Sequence, residues 1–178
     1  IPHRINPNNL VPVMILVKDA DKYPIDLGDI NIEIYQNSQL INSSVYIINE
    51  KINSYWWYKT LKINTKDTIG HTTFVVNIKY KVSDEIKIIT NHNLKTVKPI
   101  PFDVYLSKSE LPGSQITQYG DIHYHSHLTD DMVEFGAPLK PTLEACSVLG
   151  LDFICNTDHS YDLDDKYGTW FENDPELK

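Results

Sequence analysis

The stretch Ile30-Asn31-Ile32-Glu33-Ile34-Tyr35 alternates apolar and polar residues with a period of two. Only an extended strand converts such an order into one dry face and one wet face. The signal recurs along the first part of the chain. Val11 to Val17, Ser44 to Ile48, Tyr55 to Ile63, Thr72 to Val82, Glu85 to Thr90 and Phe102 to Leu106 are all β-rich runs bounded by polar turns. Asp19-Ala20-Asp21-Lys22 is one of those turns. It lacks the glycine and the bidentate Glu that a calcium loop needs.

Seven short strands without a convincing helix predict an all-β, immunoglobulin-like sandwich over residues 1–110. Within it, Tyr55-Trp56-Trp57-Tyr58 sets Trp56 and Tyr58 on one face of a strand and Trp57 on the other. Neighbouring aromatics can stack on sugars or fill a protein interface, and core packing on one side with partial exposure on the other is the plainer account. Then the composition changes. Ser107-Lys108-Ser109-Glu110-Leu111-Pro112-Gly113-Ser114 is polar and broken by Pro-Gly, so residues 111–118 read as a linker.

Beyond the linker, periodicity and residue type both shift. Four of the seven histidines, His123, His125, His127 and His159, fall between Gly120 and Asp165. His123 and His125 stand two apart after the apolar approach Tyr119 to Ile122, and on a strand such residues share a face. Both imidazoles can then reach one ion. Asp130 follows on a loop, where a carboxylate suits a hard or borderline divalent cation.

Pro141, the apolar residues Leu143, Ala145, Cys146, Val148 and Leu149, and Gly150 predict a helix with its start, its face and its stop. Leu151 to Thr157 then reads as a buried parallel strand, ending at Thr157-Asp158-His159. Strand, helix, strand at this spacing is a βαβ unit. Its two strands should run parallel and gather His123, His125, Asp130 and His159 at their carboxyl ends.

These residues resemble the PHP family, named for its polymerase and histidinol phosphatase members. Asp121-Ile122-His123-Tyr124-His125-Ser126 matches the opening Asp-Leu-His-x-His-Ser/Thr, Thr129-Asp130 matches the next pair, and Thr157-Asp158-His159 matches the second motif. The likeness covers about residues 119–165. It implies residues 119–178 as the first βαβ portion of a distorted (β/α)7 barrel that binds up to three divalent metals and hydrolyses phosphate esters. By the same resemblance His123 and His125 hold a first metal, and Asp130 and His159 another. His127, Asp158 and Glu134 fall to supporting the ligands or touching substrate. No side chain is assigned as nucleophile, since a metal-bound water would serve.

Zinc, manganese and iron all suit His plus carboxylate ligands. The family's later ligands, a bridging Glu, further His or Cys residues and a terminal Asp-x-His, have no counterpart before Lys178. Further chain or a partner chain is therefore expected to complete the barrel. The alternative is a non-catalytic β-sandwich module for binding or structure, carrying an incomplete PHP segment.

Charge and composition narrow the partners. With 16 Lys and Arg against 24 Asp and Glu, the net charge of −8 excludes non-specific nucleic-acid binding. A small-molecule or polymer ester remains the substrate class. No apolar run has transmembrane length, and Ile1 fits either a removed leader or a fragment. The compartment stays open between a secreted or periplasmic and a cytoplasmic one. Cys146 and Cys155 read as buried free thiols, while Asn42-Ser43-Ser44 is a short glycosylation sequon of little weight. His3, His71 and His92 read as surface or turn residues.

Overall fold

A computed structural model describes residues 1–5, 10–65, 67–92, 96–110, 117–129 and 136–159. The chain divides into two units, Ile1–Pro112 and Gly113–Lys178. Residues 111–116 of the expected linker lie outside the described residues.

In the first unit the strands are β1 (Arg4–Ile5), β2 (Leu10–Lys18), β3 (Ile25–Gln36), β4 (Gln39–Ile52), β5 (Trp56–Asn64), β6 (Gly70–Val82), β7 (Glu85–Thr90) and β8 (Phe102–Leu106). Six of them form one sheet in the order β1-β8-β6-β3-β4, with β7 also on β6. The other two, β2 and β5, form a second sheet. All pairings are antiparallel except β1 with β8, which run parallel.

The alternation of β3 decides how the sheets face. Ile30, Ile32 and Ile34 are fully buried, and they meet Phe74 and Val76 of β6, Val104 of β8, Val11, Val13 and Ile15 of β2, and Leu61 and Ile63 of β5 in one core. Inner faces of both sheets thus share a single apolar layer, as in a β-sandwich. A smaller cluster of Ala20, Leu27 and Ile52 continues it, and Trp57 packs against both. Trp57 also donates its indole N–H to Glu50 at 2.9 Å. Trp56 lies edge-on to Tyr55, with the Lys18 ammonium over both rings.

Each of the seven strand runs predicted from sequence is present, and several are longer. β3 begins at Ile25 and β4 spans Gln39–Ile52 because a tight hairpin joins them. Asn37 and Ser38 both adopt positive φ, the pairing that matches the twist of two adjoining strands. Asp19 also has positive φ and accepts from the amides of Lys22 and Tyr23, closing the expected turn. Gly28 sits where the ladders of β3 shift register on both sides. A Cβ there would press on the Lys79 carbonyl at 3.2 Å, so glycine admits the close approach.

The second unit contains β9 (Gly120–Tyr124), α1 (Leu139–Leu149) and β10 (Phe153–Asn156). β9 and β10 pair in parallel, with Phe153 opposite Gly120 and Ile154 opposite Asp121. The described residues of this unit form no barrel. Pro141 is the third helical residue, where an amide would lack a partner in any case. Gly150 ends the helix at φ 76°, and Leu151 N–H returns to the Cys146 carbonyl at 2.9 Å.

Burial in this unit departs from the sequence reading. β10 is not a buried strand, and the helix buries Pro141, Thr142 and Cys146 while Leu143 and Leu149 stand 60% and 48% exposed. Ile122 is 75% exposed. Among the described residues, two strands and one helix have too little surface to cover both sheet faces. Cys155 is likewise an exposed free thiol, not a buried one; Cys146 is free and buried, and that burial, then the charge of Asp121, raises its pKa.

Candidate metal centre

The site grows from the way β9 and β10 are tied. At their start the Tyr119 amide donates to the Asp152 carboxylate at 2.9 Å, and the Asp152 amide returns to the Tyr119 carbonyl at 2.6 Å. At their finish the Thr157 amide donates to the Tyr124 carbonyl at 2.8 Å. His125 and His159 therefore leave the pair at the same end. The Tyr124 hydroxyl accepts from the Ala137 amide at 3.0 Å and meets Thr142 Oγ1 at 2.7 Å, which binds the chain entering α1 to the strand.

His123 and His125 do share a face. Their Nε2 atoms stand 2.9 Å apart, with the ring planes within 4° of parallel. The His159 ring lies edge-on to His125, with centroids 4.7 Å apart. His123 is exposed and the other two are half-buried. The 2.9 Å separation is a hydrogen bond between the two rings, and two nitrogens bonded to one ion at about 2.1 Å would stand about 3.0 Å apart at right angles and about 3.4 Å apart in a tetrahedral site. The pair is close enough for both rings to reach one ion with a small shift.

Asp130 and Glu134, assigned from sequence, lie outside the described residues, as do Asp162, Asp164 and Asp165. Among the described residues no three His, Cys, Asp or Glu side chains are grouped to hold a metal ion. His127 donates its backbone amide to the Ala137 carbonyl at 3.3 Å and is half-buried. His3, His71 and His92 belong to the other unit. There His3 Nδ1 meets the Asp103 carbonyl and His71 packs edge-on to Tyr105.

Asp158 is the best-anchored side chain of the site. One carboxylate oxygen accepts from Ser126 N–H at 2.6 Å and Thr129 Oγ1 at 2.9 Å. The other accepts from Ser126 Oγ at 2.7 Å and Asn156 Nδ2 at 2.6 Å. Four donors occupy the lone-pair positions a carboxylate offers. Asp158 thus fastens the turn after β9 to the end of β10, with no position left over for a metal or a substrate. Burial works against its ionisation, and the hydrogen bonds from Ser126, Thr129 and Asn156 outweigh that, so its pKa lies below the ordinary value of 3.8.

Ser126 and Thr129 are buried as polar residues because this carboxylate satisfies them. Thr129 Oγ1 also accepts from the His159 amide at 3.3 Å, linking the clasp to a histidine backbone. Sequence reasoning gave Ser126, Thr129 and Asn156 no role. Ser126 and Thr129 stand at motif positions, and Asn156 is marked only by the small polar residues around the second motif. Gly136 completes the turn, since a Cβ there would run into the His125 carbonyl.

Comparison with family models, with curated proteins and with solved structures returned no match. No helix among the described residues is long and apolar enough to cross a membrane.

Proposed function

We propose that residues 119–178 form the opening part of a PHP-type, metal-dependent hydrolase domain that follows an immunoglobulin-like sandwich in the sequence. The observation that carries this reading is the convergence of His123 and His125 Nε2 at 2.9 Å, with the His159 ring against them, at the finish of a parallel βαβ unit. Parallel α/β folds put their chemistry at that end of the strands. Motif order and strand polarity therefore support the same site.

In this reading His123 and His125 hold a zinc, manganese or iron ion, with Asp130 and His159 as further ligands. A bound ion of this kind lowers the pKa of a coordinated water and draws charge from an ester oxygen. The chain's own contribution is positional. Asp158, through Ser126 and Thr129, keeps the turn after His125 fixed against the strand end that carries His159. The sheet order β1-β8-β6-β3-β4 opposite β2-β5, with β1 parallel to β8, supports the immunoglobulin-like reading of the first unit.

The test is metal content by mass spectrometry of the chain and of His123→Ala/His125→Ala, with hydrolysis of an activated phosphodiester alongside in the longest natural form of the protein. Stoichiometric metal and turnover that both vanish in the variant are expected. Equal metal content and equal turnover in the two proteins would end the reading. A second reading, a non-catalytic binding or structural module, is favoured by the absence of a three-donor group among the described residues. It predicts no stoichiometric metal in either protein.

A further inference from the structure

The edges of the sandwich are treated unequally. β1 is two residues long, β2 contains Pro12, and β7 carries Glu85 and Lys87 paired at 3.1 Å. Two carbonyls near the end of β5 are covered by side chains of β4, where Asn42 Nδ2 donates to the Asn64 carbonyl at 3.0 Å and the Tyr46 hydroxyl to that of Lys62 at 3.4 Å. Shortness, proline, charge and coverage are the usual means of stopping one sheet from adding to another.

β4 has none of these before Glu50 and Lys51 near its end. It is the terminal strand of the large sheet, with β3 on one side and no described strand on the other. From Gln39 to Asn49 it contains no Lys, Arg, Asp, Glu, Pro or Gly, although the chain as a whole has a net charge of −8. Its register shifts fall at the two ends, which leaves Asn42 to Ile47 in regular pairing with β3. On the outer face of that segment Val45 and Ile47 are 61% and 75% exposed.

From these features we infer that β4 is a self-association edge, along which a second copy of this chain adds its own β4 antiparallel. A neutral edge is what two copies of an acidic chain need, because no like charges oppose each other there. Face parity restricts the register. Opposed residues must lie on the same face, so the two-fold axis passes through a residue and not between two. Centring it on Tyr46 sets Val45 against Ile47 of the partner subunit and repeats that contact across the axis. The outcome is one sheet continuous across two subunits, with four apolar side chains clustered on its outer face.

Sedimentation equilibrium of the 178-residue chain at about 100 µM reads this directly. A dimer is expected, and Val45→Lys/Ile47→Lys should weaken it at least about tenfold with an unchanged far-ultraviolet circular dichroism spectrum. Both substituted positions are exposed, so the fold of each subunit does not depend on them. A monomeric parent chain would overturn the inference. So would a dimer that persists undiminished in the variant, since association would then lie elsewhere.

Discussion

The two units solve the same problem of burial in opposite ways. In the sandwich, period-two strands deliver Ile30, Ile32 and Ile34 into a core closed by the second sheet. In the βαβ unit, Ile122, Leu143 and Leu149 face outward, and the tightest features are polar: the Tyr119–Asp152 tie and the four donors on Asp158. The first region is held by area removed from water, the second by directional bonds around a few side chains. That difference teaches where substitutions should hurt.

The sharpest way to break the contrast is to truncate one apolar residue in each unit. Phe74→Ala removes a fully buried ring between the sheets and should cost about 3–5 kcal/mol in urea unfolding. Ile122→Ala, at a residue 75% exposed, should stay within about 0.5 kcal/mol. Comparable costs would mean that the βαβ unit has an apolar core after all.

Asp158→Ala should come next in size. It leaves the buried Ser126 and Thr129 hydroxyls without their acceptor, a local cost of about 1–3 kcal/mol. Hydrogen exchange should quicken at Ser126 and His159 while the amides of β3 and β6 keep their protection. Uniform loss of protection across both units would contradict a clasp confined to one of them.

The smallest effect is that of pH. The folded-state pKa of Asp158 lies below the ordinary 3.8, so its stabilisation is present above that value and is lost as pH falls through the depressed one. Acid should release the turn at Ser126 to Thr129 only below pH 3.8, and the release should be absent in Asp158→Asn. Nuclear magnetic resonance of the Ser126 amide follows it. Release beginning well above that pH would mean the carboxylate is not held as its donors imply.

Legibility in the sequence follows the same division. Strands whose faces differ in polarity are visible because burial enforces the alternation, as in β3 and β8. β1 was invisible, since two residues hold no period and its parallel pairing with β8 depends on chain closure. The long ends of β3 and β4 also escaped, because register shifts break the alternation near Gly28 and Ile41.

At the site, His123 and His125 were readable from a spacing of two on a strand. The role of Asp158 was not, because its donors Ser126 and Thr129 lie about thirty residues away in sequence and come near only once β9 and β10 pair. The exposure of Leu143 and Leu149 was equally hidden. A helical stripe of apolar residues marks a face that could be buried, and only the neighbouring layer determines whether it is.

The ties at the two ends of the β9–β10 pair also have a mechanical side. A ladder pinned at Tyr119–Asp152 and again at Tyr124–Thr157 resists sliding, because displacing β10 by one residue would strain both pins together. The spacing of His125 and His159 along the strand axis then behaves as a fixed gauge length.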